Sequence, residues 1–70
     1  MMKNIQVYNF VEWELQKFRN ECNFTDEELQ CFELKAKDKS IEYIAQEMHI
    51  STAKVSRLVK RIKSKILKVI

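Results

Sequence analysis

The segment "STAKVSRLVKRIKSKILKVI", residues 51–70, holds seven cations and no acid: Lys54, Arg57, Lys60, Arg61, Lys63, Lys65 and Lys68. The other six cations and all ten carboxylates lie in residues 1–50. A charge separation of this kind suits a polyanionic partner, and a run of seven cations goes beyond what a solvated basic face needs. Other chemistry finds little support. Glu27 and Glu28 are adjacent, and neighbouring residues on a helix point in different directions, which argues against an acid/base pair. Cys22 and Cys31 are too few for a zinc set of four Cys/His ligands in paired spacings, and free thiols in a reducing compartment are expected rather than a disulfide. His49 is the only histidine, the chain has no glycine for a phosphate loop, and no nucleophile stands beside a base. The expectation is a protein that is not an enzyme and needs no cofactor and no metal.

The elements that position these cations follow from composition. Seventy residues make one small domain with a thin core, since at this size folding buries only about 60% of the surface of the unfolded chain. With Gly 0, Pro 0, 46% hydrophobic and 33% charged residues, the usual turn punctuation is missing and an all-α fold is expected. No run of 18 apolar residues occurs, and no basic stretch followed by an apolar run opens the chain, so a soluble cytoplasmic protein with no membrane partner is expected.

Four helices are legible. Val7, Val11, Leu15, Phe18 and Cys22 recur at steps of four, four, three and four, predicting a first helix over 5–22. In "FTDEELQ", Thr25 can cap a second helix, Glu28 can complete a capping box, and Phe24 can staple against Leu29. That helix runs to about Ala36, with Leu29, Cys31, Phe32, Leu34 and Ala36 on a broad apolar arc. Ser40 can cap a third helix whose stripe is Ile41, Ile44, Ala45 and Met48. Ser51 can cap a fourth, leaving only His49 and Ile50 for the turn between them. Such a turn usually needs a left-handed residue, and histidine is among the enriched alternatives to glycine there. This describes a four-helix domain, an N-terminal helix over 1–23 and a trihelical helix-turn-helix unit over 24–70 with a recognition helix from about residue 52.

At about 100° per residue, Val55, Leu58, Val59, Ile62, Ile66 and Val69 share one arc of the fourth helix, and Ser56, Arg57, Lys60, Arg61, Ser64, Lys65 and Lys68 lie outside it. Small residues near its start, Thr52, Ala53 and Ser56, precede the long cations Arg57, Lys60 and Arg61. That order fits a DNA major groove, with short side chains near base edges and cations towards phosphates.

Residues 24–66, "FTDEELQCFELKAKDKSIEYIAQEMHISTAKVSRLVKRIKSKI", resemble the helix-turn-helix of LuxR/GerE-type regulators and of sigma factor region 4. Phe24, Thr25 and Glu28 match the opening of the shared pattern, Ser40, Ile44 and Ala45 its middle, Ile50 and Ser51 its turn, and Val55, Arg61, Ile62, Lys65 and Ile66 its end. Asp38 and His49 stand where the pattern commonly has glycine, and both tolerate the left-handed conformation better than most residues. LuxR-type domains also carry a short helix after the recognition helix, for which this chain leaves no room, and sigma region 4 is closer in that respect. The resemblance implies sequence-specific binding to double-stranded DNA, with base contacts from Thr52, Ala53, Ser56, Arg57 and Lys60. Lys54, Arg61, Lys63 and Lys65 are then the phosphate candidates.

Phe10 and Trp13 lie off the stripe of the first helix, near Lys17. They are either an exposed partner or dimer surface or the wrapped edge of a thin core. Because a lone small module binds DNA weakly, a homodimer or recruitment by RNA polymerase is expected; a dimer would set two recognition helices about 34 Å apart. No small-molecule effector is expected. Beside the DNA-binding regulator stand two other readings: a sigma-like interaction module with weak DNA contact, and "KVSRLVKRIKSKILKVI" as a cationic amphipathic helix on an anionic membrane.

Overall fold

A computed structural model describes residues 10–70, and it is all-α, with no strand among the described residues. Four helices follow in order: α1 (Glu12–Glu21), α2 (Asp26–Ala36), α3 (Ile41–Met48) and α4 (Thr52–Val69). The expected four-helix architecture is present. Val7, the first residue of the α1 stripe, lies outside the described residues.

Each helix start has a chemical cause. The Thr25 hydroxyl accepts from the Glu28 N–H at 3.2 Å while the Glu28 carboxylate accepts from the Thr25 N–H at 3.0 Å, a full capping box for α2. Ser40 and Ser51 accept from the Tyr43 and Lys54 N–H groups, each at 3.1 Å, opening α3 and α4. At the start of α1, Val11 has no side-chain oxygen to offer, and the Glu14 carboxylate accepts its N–H at 3.0 Å.

Helix ends in a chain without glycine need other residues with positive φ. Asp38 (φ 60°) and His49 (φ 58°) fill that role as expected, and so does Asn23 (φ 58°) after α1, which sequence reasoning passed over. After α3 the Ile50 N–H donates to the Ala45 carbonyl at 3.0 Å, and after α2 the Lys39 N–H donates to the Leu34 carbonyl at 3.2 Å. These six-to-one bonds satisfy carbonyls that the helices leave open and reverse the chain in two or three residues.

All four helices share one core. Val55, Leu58, Ile62 and Ile66 of α4 lie buried among Leu15, Phe18 and Cys22 of α1, Cys31 and Phe32 of α2, and Ile44 and Ala45 of α3. Val59 and Val69 pack at its margin. The arc read on α4 is therefore the central wall of the domain, and burying each large side chain there contributes about 1.5–3 kcal/mol. Both cysteines are free and buried.

Three local expectations need correction. The first helix begins at Glu12 rather than Ile5, and Val11, placed on its buried stripe, is 54% exposed. Phe10 instead stacks edge-on against Phe18 with ring centroids 4.8 Å apart. In a continuous helix those residues would stand about 12 Å apart along the axis, so the chain must leave the helix before Val11 to let Phe10 fold back onto the core. Phe24, expected to staple against Leu29, has its ring on the core instead. It lies against Phe32, centroids 4.9 Å apart, and Leu29 is exposed.

Candidate nucleic-acid interface

α4 is 18 residues long and has two contrasting sides. Its apolar arc faces the other three helices, and Thr52, Ala53, Ser56, Arg57 and Lys60 are all exposed on the remaining surface, joined by Arg61, Ser64 and Lys68. All five proposed base-contact residues are thus on open surface at the start of the helix. The apolar arc packs against the other helices while Leu67 and Ile70 stay exposed near the end of α4, and no helix among the described residues is long and apolar enough to cross a membrane.

The four phosphate candidates divide. Arg61 is exposed and Lys63 half-buried. Lys54 is held 3.0 Å from the Glu27 carboxylate. Lys65 is committed inward: its ammonium donates to the Glu28 carboxylate and to the Asn23 carbonyl, the latter at 3.2 Å, and lies 6.0 Å from the Phe24 ring centroid. Lys65 therefore ties α4 to the α1–α2 junction, a structural role that sequence reasoning did not assign to it. Helical geometry held the clue, because Lys54, Arg61 and Lys65 fall within roughly 40° of one another on the flank bordering the apolar arc. A flank that borders the core also borders the neighbouring helix, here the acidic first turn of α2, Asp26, Glu27 and Glu28.

Glu28 sits at the centre of that contact and is only 2% exposed. Burial alone would push its carboxyl up. The hydrogen bond from Lys65 and the Thr25 N–H, with the positive charges of Lys65 and Arg61, outweigh burial and hold it below the usual carboxylate range. Glu28 is thus both cap and buried counter-ion.

The surface beside the start of α4 continues onto α3. An open cleft of about 550 Å³ between α3 and the start of α4 is lined by Ser40, Tyr43, Gln46, Ile50 and Thr52 among others. The Lys39 ammonium stands 5.0 Å from the centroid of the exposed Tyr43 ring. Sequence reasoning did not single out Lys39 and Tyr43, because nothing in their spacing distinguishes them from ordinary surface residues.

The aromatic pair on the N-terminal segment is split. Phe10 belongs to the core margin, and Trp13 remains 69% exposed on α1. The helix itself is fastened by Arg19, whose guanidinium bonds Glu33 of α2 at 2.8 Å and Glu12 at 3.1 Å and lies 5.9 Å from the Phe32 centroid. The Glu33 hydrogen bond is the main reason the Arg19 guanidinium is held more firmly protonated than usual, against a smaller opposing effect of burial. Among the described residues no group of three or more His, Cys, Asp or Glu side chains is placed to hold a metal ion.

The turn at His49, the caps at Ser40 and Ser51, and the exposed basic face of α4 form a helix-turn-helix. The sequence model of GerE, described as bacterial regulatory proteins of the luxR family, matches residues 22–68. No curated protein and no solved structure matches the chain. The family match spans α2, α3 and nearly all of α4, and the chain accordingly belongs to the luxR family of bacterial regulatory proteins, whose helix-turn-helix is a DNA-binding domain of transcription regulators rather than an enzyme.

Proposed function

We propose that this domain binds double-stranded DNA sequence-specifically by inserting the N-terminal half of α4 into the major groove. The observation that carries this reading is the exposed order of side chains on α4: Thr52, Ala53 and Ser56, then Arg57 and Lys60. Short side chains at the helix start allow the backbone to approach base edges, and arginine one turn later can pair bidentately with a guanine. Arg61 and Lys63 reach phosphates on either side of the groove, with Lys68 further along the helix. Lys54 joins them by exchanging Glu27 for a phosphate oxygen. The α3 cleft, with Lys39 and Tyr43 beside it, lies where the first helix of such a pair crosses the DNA backbone. Lys65 is left out of the phosphate set because its ammonium already has two partners.

The test is the double variant Arg57→Ala, Lys60→Ala, assayed on a duplex selected from random sequence. Both side chains are exposed, so the melting curve is expected to be unchanged. Specific affinity is expected to fall at least tenfold, at about 1–3 kcal/mol per lost base contact. Unchanged affinity and sequence preference in the folded double variant sinks the recognition-helix assignment.

A second reading, docking onto RNA polymerase, another regulator or a second copy through α1, is favoured by the exposure of Trp13. Under it, Trp13→Ala leaves duplex binding by the isolated domain intact and abolishes partner capture or concentration-dependent dimerisation in ultracentrifugation.

A further inference from the structure

Glu27 and Lys54 make an ion pair across the α2–α4 contact at 3.0 Å, both side chains about half exposed. Glu27 does no capping work, because Thr25 and Glu28 complete the box that opens α2. Lys54, in the first turn of α4, sits beside the short residues Thr52 and Ala53 that would come closest to DNA. Its flank is shared with Lys65, which is committed inward, and with Arg61, which is not.

We propose that Glu27 is an internal competitor for DNA phosphate, holding Lys54 off the backbone and thereby lowering the sequence-independent part of binding more than the sequence-specific part. This rests on the reading of α4 as the DNA-inserting helix. An exposed ion pair is weak enough to be exchanged, since such pairs contribute only about 0–1 kcal/mol. A phosphate brought close by specific docking can therefore take Lys54 from Glu27. In a loose, non-specific encounter, Lys54 stays with the carboxylate and one fewer cation is available to release counter-ions. The Glu27 charge also repels any phosphate near the start of α4, within a Debye length of about 8–10 Å. Affinity for random DNA is set mainly by the number of such cations, and removing the competitor acts there first.

The experiment is anisotropy on a random-sequence duplex and on a selected duplex across a salt series, with wild type, Glu27→Gln, Asp26→Asn, Lys54→Gln and the double variant Glu27→Gln, Lys54→Gln. Asp26 is the neighbouring acid in the same helical turn and makes no ion pair among the described residues, so it controls for charge and helix-dipole effects. Glu27→Gln is expected to tighten random-duplex binding about two- to fivefold at low salt, to steepen the log–log salt slope by up to about 0.9, and to change the selected duplex less. Asp26→Asn is expected to act more weakly, and the Glu27→Gln gain to vanish in the Lys54→Gln background. Equal tightening by Asp26→Asn, or a Glu27→Gln gain that persists without Lys54, overturns the competition in favour of a diffuse charge effect. No tightening by Glu27→Gln in a chain that binds duplex also overturns it, with the recognition-helix reading intact. A wild-type chain that binds neither duplex overturns both.

Discussion

A carboxylate that is 2% exposed must be paired or neutral, and Glu28 is paired. Its folded-state titration lies below the ordinary value of 4.5, so the stability it contributes is fully present above that pH and is lost as pH falls through the lower folded value. Thermal melts from pH 7 down to 3 are expected to show an acid loss of stability that Glu28→Gln largely removes. At pH 7 the same variant keeps the cap acceptor and loses the charged bond to Lys65, and is expected to be destabilised by about 1–3 kcal/mol in urea unfolding. The buried Cys31 thiol behaves oppositely, because burial pushes its titration up to about 11. In native protein at pH 8, thiol reagents are expected to label Cys31 only at the rate of opening, and at once in denaturant. His49 presents the clearest backbone strain: at φ 58° its Cβ opposes the left-handed conformation. His49→Gly is expected to stabilise by up to about 1 kcal/mol and His49→Val to destabilise by about 1–2 kcal/mol, measured by chemical denaturation.

At the scale of elements, α1 is held to the domain by a short set of contacts. Leu15, Phe18 and Cys22 pack inward, Phe10 folds back on Phe18, and Arg19 reaches Glu33. Arg19→Ala removes the ion pair and the stacking of the guanidinium near Phe32, leaving Glu33 exposed enough to hydrate. Amide hydrogen exchange across α1 is expected to quicken in that variant while α3 and α4 keep their protection. The α1 boundary also shows why periodicity overreached. Val7 and Val11 continue a helical spacing, but a half-buried contact between Phe10 and Phe18 outweighs the propensity of one more turn, and the chain bends where the aromatic ring can reach the core.

At the scale of the molecule, α4 has two incompatible demands and meets them on opposite sides. It supplies four buried residues to a core shared by every helix, and its exposed face carries Arg57 and Lys60 with further cations. Substitutions on the two sides are therefore expected to fail differently. Ile62→Asp places an unpaired charge in the middle of the core and is expected to abolish cooperative melting, and with it any DNA binding. Salt dependence reports on the other side. Contact by three or four free cations predicts a log–log slope of about −2.7 to −3.6 on random duplex, together with feeble binding to anionic vesicles, because the apolar arc is enclosed.

The caps at Thr25, Ser40 and Ser51, the left-handed turns at Asp38 and His49, and the two sides of α4 were legible in the amino-acid sequence. Each is a local matter, decided by hydrogen bonding or steric fit within a few residues or by the repeat of a single helix. The family pattern was legible for the same reason, since it is a string of such local requirements. Where α1 starts, which aromatic residue is covered, and which cations are free depended on packing between segments distant in the chain. Lys65 and Glu28 are 37 residues apart, and Arg19 and Glu33 are 14 apart. No local propensity couples such pairs. Only the docking of α2 against α4 and of α1 against α2 decides that one lysine of the basic helix is a counter-ion, another is shared with an acid, and Arg57, Lys60, Arg61 and Lys68 are left exposed.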